Sequence, residues 1–198
     1  MLAIVYFKIG IMKDNRRDFI RKMGLFSGLC LTGIPAAYSK IYSTEKIEGM
    51  VLKASEGETW YIGNERKAEV TIKIAKNEES TPEFSLLTEK IPPGDAVPIH
   101  KHLNEEEFLF VQKGSIEITL GHTTQQGNVG DLIYVSRNLW HGFQNNGTEE
   151  VILLFGYSPS GFEAYFRAIG TKTLDKALGF TEEDWKRTNQ KFRVIYKE

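Results

Sequence analysis

The chain has 198 residues, of which 41% are apolar and 26% are charged. This length suits one compact domain with appendages, and the composition excludes collagen-like, coiled-coil and wholly disordered proteins. Its 25 basic and 26 acidic side chains give a formal net charge of -1, so no basic field favours nucleic acid as a partner. The single cysteine, Cys30, excludes an intramolecular disulfide and any CxxC zinc or redox site.

Residues 1-39 have the organisation of a signal peptide. Basic residues precede an uncharged, mostly apolar run from Met23 to Ala37. That run is too short for a bilayer span, which needs about 20 residues, but it suits the apolar region of a signal peptide. The alternative is a short amphipathic helix that docks on the domain.

The pair Arg16-Arg17, followed by Asp18 and two apolar residues, resembles the twin-arginine export motif. We therefore expect cleavage after Ser39 and an exported, periplasmic protein without stable membrane association. Met12 is the expected true start, because it is followed by the lysine that opens the basic region.

Residues 40-160 are predicted to form an all-β domain. Short runs rich in β-branched and aromatic residues alternate with separators rich in Gly, Asn and Pro, a pattern typical of a sandwich or barrel. The strands are expected over 68-75, 83-91, 107-112, 115-120, 131-135 and 150-155.

Residues 161-198 are predicted to form a helical extension. Four apolar residues fall at helical spacing: Phe162, Tyr165, Phe166 and Ile169. A second helix should follow Thr181, with Asp184 completing its cap and Trp185 facing inward. The aromatic residues either line a ligand pocket or close one end of the barrel or a dimer seam, and the second role is favoured.

Three histidines and one glutamate are candidate metal ligands. His100 and His102 lie two residues apart, so on a strand both side chains point to the same side. Glu107 begins the next strand and offers an oxygen, and His141 is expected to complete the set from across the barrel. Three imidazoles and a carboxylate suit a first-row transition metal. The alternative is a buried polar cluster of hydrogen-bonded histidines without metal.

The remaining polar residues near this pattern are expected to lie outside the site. His122 occupies a Gly-His-Thr-Thr turn and should be exposed to solvent. Strand alternation separates Glu106 from Glu107, so Glu105 and Glu106 are expected to be surface charges.

Two stretches of the sequence resemble the two conserved motifs of the cupins. The first has its signature positions at Gly94, His100, His102, Glu107 and Gly114, and the second has them at Gly130, His141 and Asn145. The second departs from the family at Ser136, where proline is usual, and at Asn138, where glycine is usual. Because asparagine tolerates the left-handed conformation, the departure at Asn138 is mild, and neither departure removes a ligand.

The resemblance extends from about Met50 to Gly170. It implies a cupin jelly-roll barrel (a double-stranded β-helix) with C-terminal helices, and a metal site formed by His100, His102, Glu107 and His141. The exit from the last strand through Pro159, Gly161, Phe162 and Glu163 is similar to small single-domain cupins related to quercetin 2,3-dioxygenase.

The functional expectation is an exported, metal-dependent dioxygenase-like oxidoreductase acting on a small phenolic or enediol-type molecule. The metal would be iron, manganese, nickel, cobalt, copper or zinc, and Glu107 would be both ligand and catalytic base. Leu109, Val111, Ile116, Ile118 and Phe143 are candidates for a dry pocket wall. The alternatives are a metal-bearing binding module without turnover and a cupin isomerase. A homodimer is expected by analogy with the family.

Overall fold

The computed structural model describes residues 49–62, 68–76, 82–174 and 179–197. The signal peptide predicted for residues 1-39, with its Arg16-Arg17 pair and the start expected at Met12, lies outside the described residues. Among the helices of the described part, none is long and apolar enough to cross a membrane.

Alternating burial shapes most of the strands. In β3, Ser85, Leu87, Glu89 and Ile91 are buried while the residues between them are more exposed, because successive side chains of a strand point to opposite faces. Within the described residues the strands are β1 (Glu58–Ile62), β2 (Ala68–Ile74), β3 (Ser85–Ile91), β4 (Ala96–His102), β5 (Glu106–Lys113), β6 (Ser115–Leu120), β7 (Thr123–Asn128), β8 (Leu132–Val135), β9 (His141–Gln144), β10 (Val151–Ser158), β11 (Gly170–Thr171) and β12 (Val194–Tyr196).

Two antiparallel sheets enclose the core. The first has seven strands in the order β11-β1-β2-β3-β10-β5-β8, and the second has five in the order β12-β4-β9-β6-β7. Their facing sides bury a continuous set of apolar residues that includes Leu87, Leu109, Ile116 and Leu153. The predicted all-β cupin jelly roll is therefore confirmed.

Two helices follow β10: α1 (Glu163–Ile169) and α2 (Glu182–Phe192). The predicted cap of the second helix is confirmed, since the Thr181 hydroxyl accepts from the Asp184 backbone N–H and the Asp184 carboxylate accepts in return from the Thr181 backbone. Trp185 is half-buried and packs against the core.

The C-terminal extension was predicted to be helical, but it also contains two short strands, β11 and β12. Its β11 pairs with β1 and its β12 pairs with β4, so residues beyond 160 extend both sheets. The three residues of β12 directly follow a helix, and they are too few to show the alternation by which a strand is recognised in a sequence. Their pairing depends on the free edge of β4, which the sequence does not display.

The six strand runs predicted from the sequence correspond to β2, β3, β5, β6, β8 and β10. Before the C-terminal extension, β1, β7 and β9 were missed, and β4 was expected only from the two-residue spacing of His100 and His102. The segment that forms β7, Thr-Thr-Gln-Gln-Gly-Asn, has no apolar alternation because it is an exposed edge strand that buries Gly127 alone. Its strand conformation follows from pairing with β6 over its whole length.

Candidate metal centre

His100 and His102 are presented by β4. Both are buried, and Lys101 between them turns outwards with its Nζ 4.7 Å from the centre of the Trp140 ring. The two imidazoles therefore occupy the inner face of the strand, as the two-residue spacing predicts.

His141 is the neighbour of His100 rather than a residue from across the barrel. It begins β9, which pairs directly with β4 so that His141 and His100 are cross-strand partners. The expected position was wrong because the sequence does not reveal which strands become adjacent. The residue that reaches over from the other sheet is Glu107, on the inner face of β5.

The four side chains converge on one point. One donor atom from each of His100, His102, Glu107 and His141 can be chosen so that all four lie within 4.8 Å of one another. Nε2 of His141 lies 2.8 Å from Oε2 of Glu107, and Nε2 of His102 lies 3.5 Å from the same oxygen. The Nε2 atoms of His100 and His102 are 3.2 Å apart. None of the four residues is more than 5% exposed.

Backbone carbonyls set the tautomers of two of the imidazoles. Nδ1 of His100 lies 2.8 Å from the Pro98 carbonyl oxygen, and Nδ1 of His141 lies 2.9 Å from the Leu139 carbonyl oxygen. A carbonyl oxygen can only accept, so in both rings Nδ1 carries the proton and donates. In the neutral rings of His100 and His141 the Nε2 lone pair then faces the centre of the cluster, the arrangement that second-shell partners impose on metal-binding histidines. The hydrogen bond from Nε2 of His141 to Glu107 in the metal-free cluster requires the protonated ring, since Nδ1 already donates to Leu139.

This donor set fits a transition metal. Imidazole and carboxylate ligands lie about 2.0–2.2 Å from such a cation, so neighbouring ligand atoms are about 3.0–3.4 Å apart. The separations of 2.8, 3.2 and 3.5 Å in the cluster bracket that spacing. Buried imidazole lone pairs and a carboxylate that face one another repel, so the cluster is stable only when protons or a cation lie between them.

The electrostatics of the metal-free cluster favour a neutral His100 and an ionised Glu107. Burial, reinforced by the neighbouring His141 and His102, lowers the pKa of His100 to about 3. Burial alone would raise the pKa of Glu107, but hydrogen bonds from His102 and His141 outweigh it and hold that pKa well below its ordinary value. Burial would lower the pKa of His141, and its hydrogen bond to Glu107 raises it instead.

Tyr157 stands beside Glu107 on the inner face of β10. The two residues are cross-strand partners. Burial, together with the charge of Glu107 and a hydrogen bond to it, raises the pKa of Tyr157 well above its ordinary value. The tyrosine therefore stays protonated and donates its hydroxyl to the carboxylate. Sequence reasoning missed Tyr157, although its inward position follows from the alternation of β10.

Of the three polar residues that were expected to lie at the surface, two do and one does not. Glu106 faces outwards, 3.8 Å from the Arg137 guanidinium, and His122 is exposed, so both predictions are confirmed. The prediction for Glu105 was wrong, because this side chain is buried and its burial raises its pKa. Glu105 belongs to the turn between β4 and β5, where strand alternation does not apply.

The turn that contains Asn138, in the second cupin-like motif, is hydrogen-bonded to the backbone of His102. Asn138, which stands where the family usually has glycine, adopts the left-handed conformation with a φ of 63°, as the resemblance requires. Its backbone N–H donates to the His102 carbonyl oxygen at 2.8 Å. The departure from glycine therefore preserves the turn.

A cavity of about 40 Å³ adjoins the cluster, and His100, His102 and Glu107 line it. This volume corresponds to roughly two or three water molecules. Of the five predicted wall residues, Phe143 lines the cavity, whereas Leu109, Val111, Ile116 and Ile118 are buried in the core but are not lining residues. Inward-facing residues form layers along a barrel, and only the layer at the cluster end reaches the cavity.

The aromatic residues of the C-terminal extension close this cavity. The four residues predicted at helical spacing all line it. The start of the extension, Phe162 and α1, therefore both lines the pocket and closes this end of the barrel. The Phe162 ring packs edge-on against His102 with centroids 4.4 Å apart, and Tyr196 of β12 stacks on His100 at 5.3 Å. Tyr196 and Glu89 are lining residues that sequence reasoning missed, since neither belongs to a motif.

Comparisons with known proteins agree with this geometry. Residues 87–157 match the Cupin domain family. The chain is 29% identical over 69 residues to Protein SchB of Streptomyces halstedii, which covers 35% of this chain and 50% of that protein. It is 31% identical over 67 residues to Polyketide synthase CurC of Streptomyces cyaneus, which covers 34% of this chain and 44% of that protein. The chain thus spans about half the length of the curated relatives it matches.

The fold is also similar to a solved structure, that of KdgF from a Halomonas species. The TM-score is 0.51 at 16% sequence identity, over 59% of this chain and 99% of that one. At this identity the likeness concerns the fold alone. The cupin jelly roll and the Cupin domain match over residues 87–157 together support the placement of this chain in the cupin superfamily.

Proposed function

We propose that the chain binds one divalent transition metal through His100, His102, Glu107 and His141 and acts as a dioxygenase-like oxidoreductase on a small phenolic or enediol-type substrate. The observation that carries this proposal is the convergence of four buried ligand atoms within 4.8 Å of one another. Iron, manganese, nickel, cobalt, copper and zinc all accept nitrogen and oxygen donors of this kind.

Glu107 has two roles in this proposal. When bound, a divalent cation lowers the pKa of a coordinated hydroxyl and supplies Lewis-acid or redox chemistry. Glu107 is a ligand, and it accepts the proton of the substrate hydroxyl as that hydroxyl approaches the site. Tyr157, which donates to Glu107, fixes the orientation of the carboxylate and remains protonated because its pKa is raised.

The cavity wall suits chemistry that must exclude water. Phe143, Phe155 and Phe162 lie around the cluster, and α1 closes the wall with further aromatic residues. An apolar enclosure of this kind strengthens electrostatic interactions inside it and protects reactive intermediates from hydrolysis.

The test is oxygen uptake by the metal-loaded protein. The full-length chain is stripped with a chelator and reloaded separately with iron(II), manganese, nickel, cobalt, copper or zinc. An oxygen electrode then follows its reaction with a flavonol, a simple catechol and an enediol. We expect at least one metal to support oxygen consumption that matches substrate loss. Metal and substrate binding without oxygen consumption or product would contradict the dioxygenase.

The variant Glu107→Gln separates the ligand role of Glu107 from its role as a base. We expect its turnover to fall about 10²- to 10⁴-fold, the usual contribution of a positioned general base, while the metal is largely retained. The matched control is Glu106→Gln, which removes an exposed carboxylate paired with Arg137 and should leave turnover unchanged.

A binding module without turnover is the second candidate. Its support is the same buried cluster of four ligand atoms, which can bind a metal without any redox step. The same experiment distinguishes the candidates, because such a module binds metal and ligand and changes neither ligand nor oxygen. A cupin isomerase would convert its substrate without oxygen. The name of the relative Polyketide synthase CurC is compatible with a small organic substrate in each case.

We further propose that the protein is exported to the periplasm by the twin-arginine route. The support is the order of basic residues, apolar run and small residues in positions 1-39. Replacing Arg16 and Arg17 by lysine should retain the precursor in the cytoplasm, which fractionation and immunoblotting would reveal. Undiminished export of the variant would contradict this route.

A further inference from the structure

The outer faces of the two sheets differ in polarity. On the five-stranded sheet, Glu117 and Thr119 of β6 and Gln144 of β9 line an open groove at the surface. On the seven-stranded sheet, β5, β8 and β10 contain the runs Phe-Leu-Phe-Val, Leu-Ile-Tyr-Val and Val-Ile-Leu-Leu-Phe, which are apolar on both faces. A strand with one face in water ordinarily alternates apolar and polar residues, whereas a continuously apolar strand is typical of burial on both faces. The sequence of these three strands therefore indicates that their outer face is covered as well.

The outward side chains of these strands form one continuous apolar surface. Leu132 of β8 lies opposite Phe110 of β5, and Phe110 lies opposite Leu154 of β10. Leu132 and Tyr134 are 66% and 58% exposed, and the other members are half-buried. We call this surface the outer apolar face, and its members are Leu86, Phe108, Phe110, Leu132, Tyr134 and Leu154. A contiguous apolar patch with a polar margin is typical of a contact with another molecule.

This side of the sheet is large enough for a stable dimer. The strands β2, β3, β10, β5 and β8 are adjacent, and β5 and β10 have eight residues each. At about 4.8 Å between strands and about 3.4 Å per residue, the five strands cover roughly 600 Å² before the relief of the side chains is counted. An interface of standard size buries about 600–1,000 Å² of each partner. A second copy of the same sheet face therefore provides a partner of sufficient area.

The charges at the margin of the outer apolar face are paired within the chain. Three ion pairs of the described residues lie there, with nitrogen–oxygen distances of 3.8, 3.9 and 2.7 Å: Arg137–Glu106, Lys113–Glu150 and Lys90–Glu69. Each pair has no net charge, so two copies of this face can meet without electrostatic repulsion between these groups. Binding to an anionic membrane instead requires an excess of Lys and Arg. The balance of charge favours a second copy of the chain as the partner.

We propose that the outer apolar face is the interface of a symmetric homodimer, in which the seven-stranded sheets of two chains pack face to face about a two-fold axis. Such an interface places the same patch of both chains in contact, with the two sheets about 10 Å apart. Each chain keeps its own metal-ligand cluster, because Glu107 lies on the inner face of β5, between the outward-facing Glu106 and Phe108.

The test is the mass of the metal-loaded, full-length chain in solution, measured by sedimentation equilibrium over a range of concentrations. We expect the wild type to have twice the mass of one chain. Leu132→Glu changes a position that is exposed in the single chain, so folding is preserved, but the dimer buries the new carboxylate without a partner. We expect the dimer dissociation constant to rise at least about 100-fold. The matched control is Thr124→Glu, which places the same charge on the exposed edge strand β7 of the other sheet and should leave this constant unchanged.

A second measurement locates the interface. Hydroxyl-radical footprinting follows the oxidation of Tyr134, which is exposed in the single chain. We expect this oxidation to fall severalfold as the wild-type concentration rises through the dimer dissociation constant, and to stay high in Leu132→Glu. Oxidation of the exposed His122, which lies outside the proposed interface, is the internal control and should not change. The thermal midpoint and the metal affinity of each variant verify that it is folded.

The other possible outcomes overturn the proposal. A monomeric wild type would do so, as would a dimer that Leu132→Glu leaves intact or that the two glutamate variants weaken equally. If the wild type is a monomer that binds phosphatidylglycerol vesicles, and Leu132→Glu abolishes this binding, the face contacts a lipid surface instead. If Leu132→Glu in a monomer removes amide protection over residues 23–37, that segment of the same chain covers the face. The oxygen-uptake experiment tests the proposed function independently of all these results.

Discussion

Two regions of very different construction enclose the same cavity. The ligand-bearing strands β4, β5 and β9 belong to the sheets of the barrel, and the ligands they carry are at most 5% exposed. The C-terminal closure consists of β12, a strand of three residues whose Tyr196 lines the cavity, and of α2, the helix that precedes it and has no buried residue. Groups that perform chemistry need fixed geometry, whereas a wall that admits a ligand needs a low opening free energy. The fold assigns these two requirements to different parts of the chain.

The closure is nevertheless joined to the cluster by specific contacts. In β12, Val194 lies opposite His102 and Tyr196 lies opposite His100. Tyr165 of α1 contacts both parts of the closure through its hydroxyl, by way of Asn189 and Tyr196. With about 40 Å³ inside, a phenolic molecule can enter only if part of this wall moves, and we expect the closure to be that part.

The largest expected effect comes from removing a ligand on the strands. His141→Ala deletes a fully buried ligand that is hydrogen-bonded to Glu107, so we expect metal affinity to fall by at least about 100-fold. Competition with a chromogenic chelator measures this change. His122→Ala is the control, since His122 is exposed and outside the cluster. Equal affinities in the two variants would show that the four residues do not bind the metal together.

The next effect is the acid sensitivity of the metal-free protein. His100 has its pKa lowered from 6.5 to about 3 on folding, so between these pH values the unfolded chain binds a proton that the folded chain does not. Stability must therefore fall as the pH falls through this window, by up to about 1.4 kcal/mol per pH unit.

The lowered pKa of Glu107 acts in the same direction below pH 4.5. The raised pKa of His141 changes the stability only above pH 6.5, where the stability it contributes is lost as the pH rises. Comparison with His100→Asn isolates the contribution of His100. Urea unfolding at a series of pH values in the presence of a chelator should show a flatter profile for the variant. Parallel profiles would contradict the neutral, buried state of His100.

A smaller effect should follow from loosening the closure without altering the ligands. Tyr165→Phe removes hydrogen bonds to Asn189 and Tyr196, each worth about 1 kcal/mol. We expect faster amide hydrogen exchange over residues 182–196 and unchanged exchange in β5 and β10. Tyr134→Phe, which alters an exposed tyrosine of β8, is the matched control. Acceleration throughout the barrel would show that the closure is not a separate unit of stability.

The smallest effect concerns the turn before β9. Residue 138 has a φ of 63°, in the left-handed region, which alanine tolerates poorly. We therefore expect Asn138→Ala to lower the free energy of unfolding by about 1 kcal/mol. Asn138→Gly should be neutral or slightly stabilising, because glycine adopts this conformation readily. Chemical denaturation of the metal-free variants measures both changes. Greater destabilisation by glycine than by alanine would contradict the backbone explanation.

The sequence predicted the local features of the fold and of the site, but not the relations between distant segments. His100 and His102 were assigned to one face because strand alternation is a local rule. The capping box of α2 was found for a similar reason, since its two residues are three positions apart. By contrast, His141 was placed across the barrel, and Glu105 was assigned to the surface, because adjacency of strands and burial of turns depend on distant parts of the chain. Export and a homodimer stay predictions.

The sequence by itself determined the inventory: an all-β barrel, three histidines and a glutamate at cupin spacing, and aromatic residues in the C-terminal extension. Alternation, helical spacing and turn propensity act over a few residues, so they can be recognised in a linear chain. Only the tertiary structure decided that β9 pairs with β4, that β12 covers the edge next to the ligands, and that Glu89 shares their cavity. Those relations result from packing between residues far apart in sequence, and no local pattern contains them.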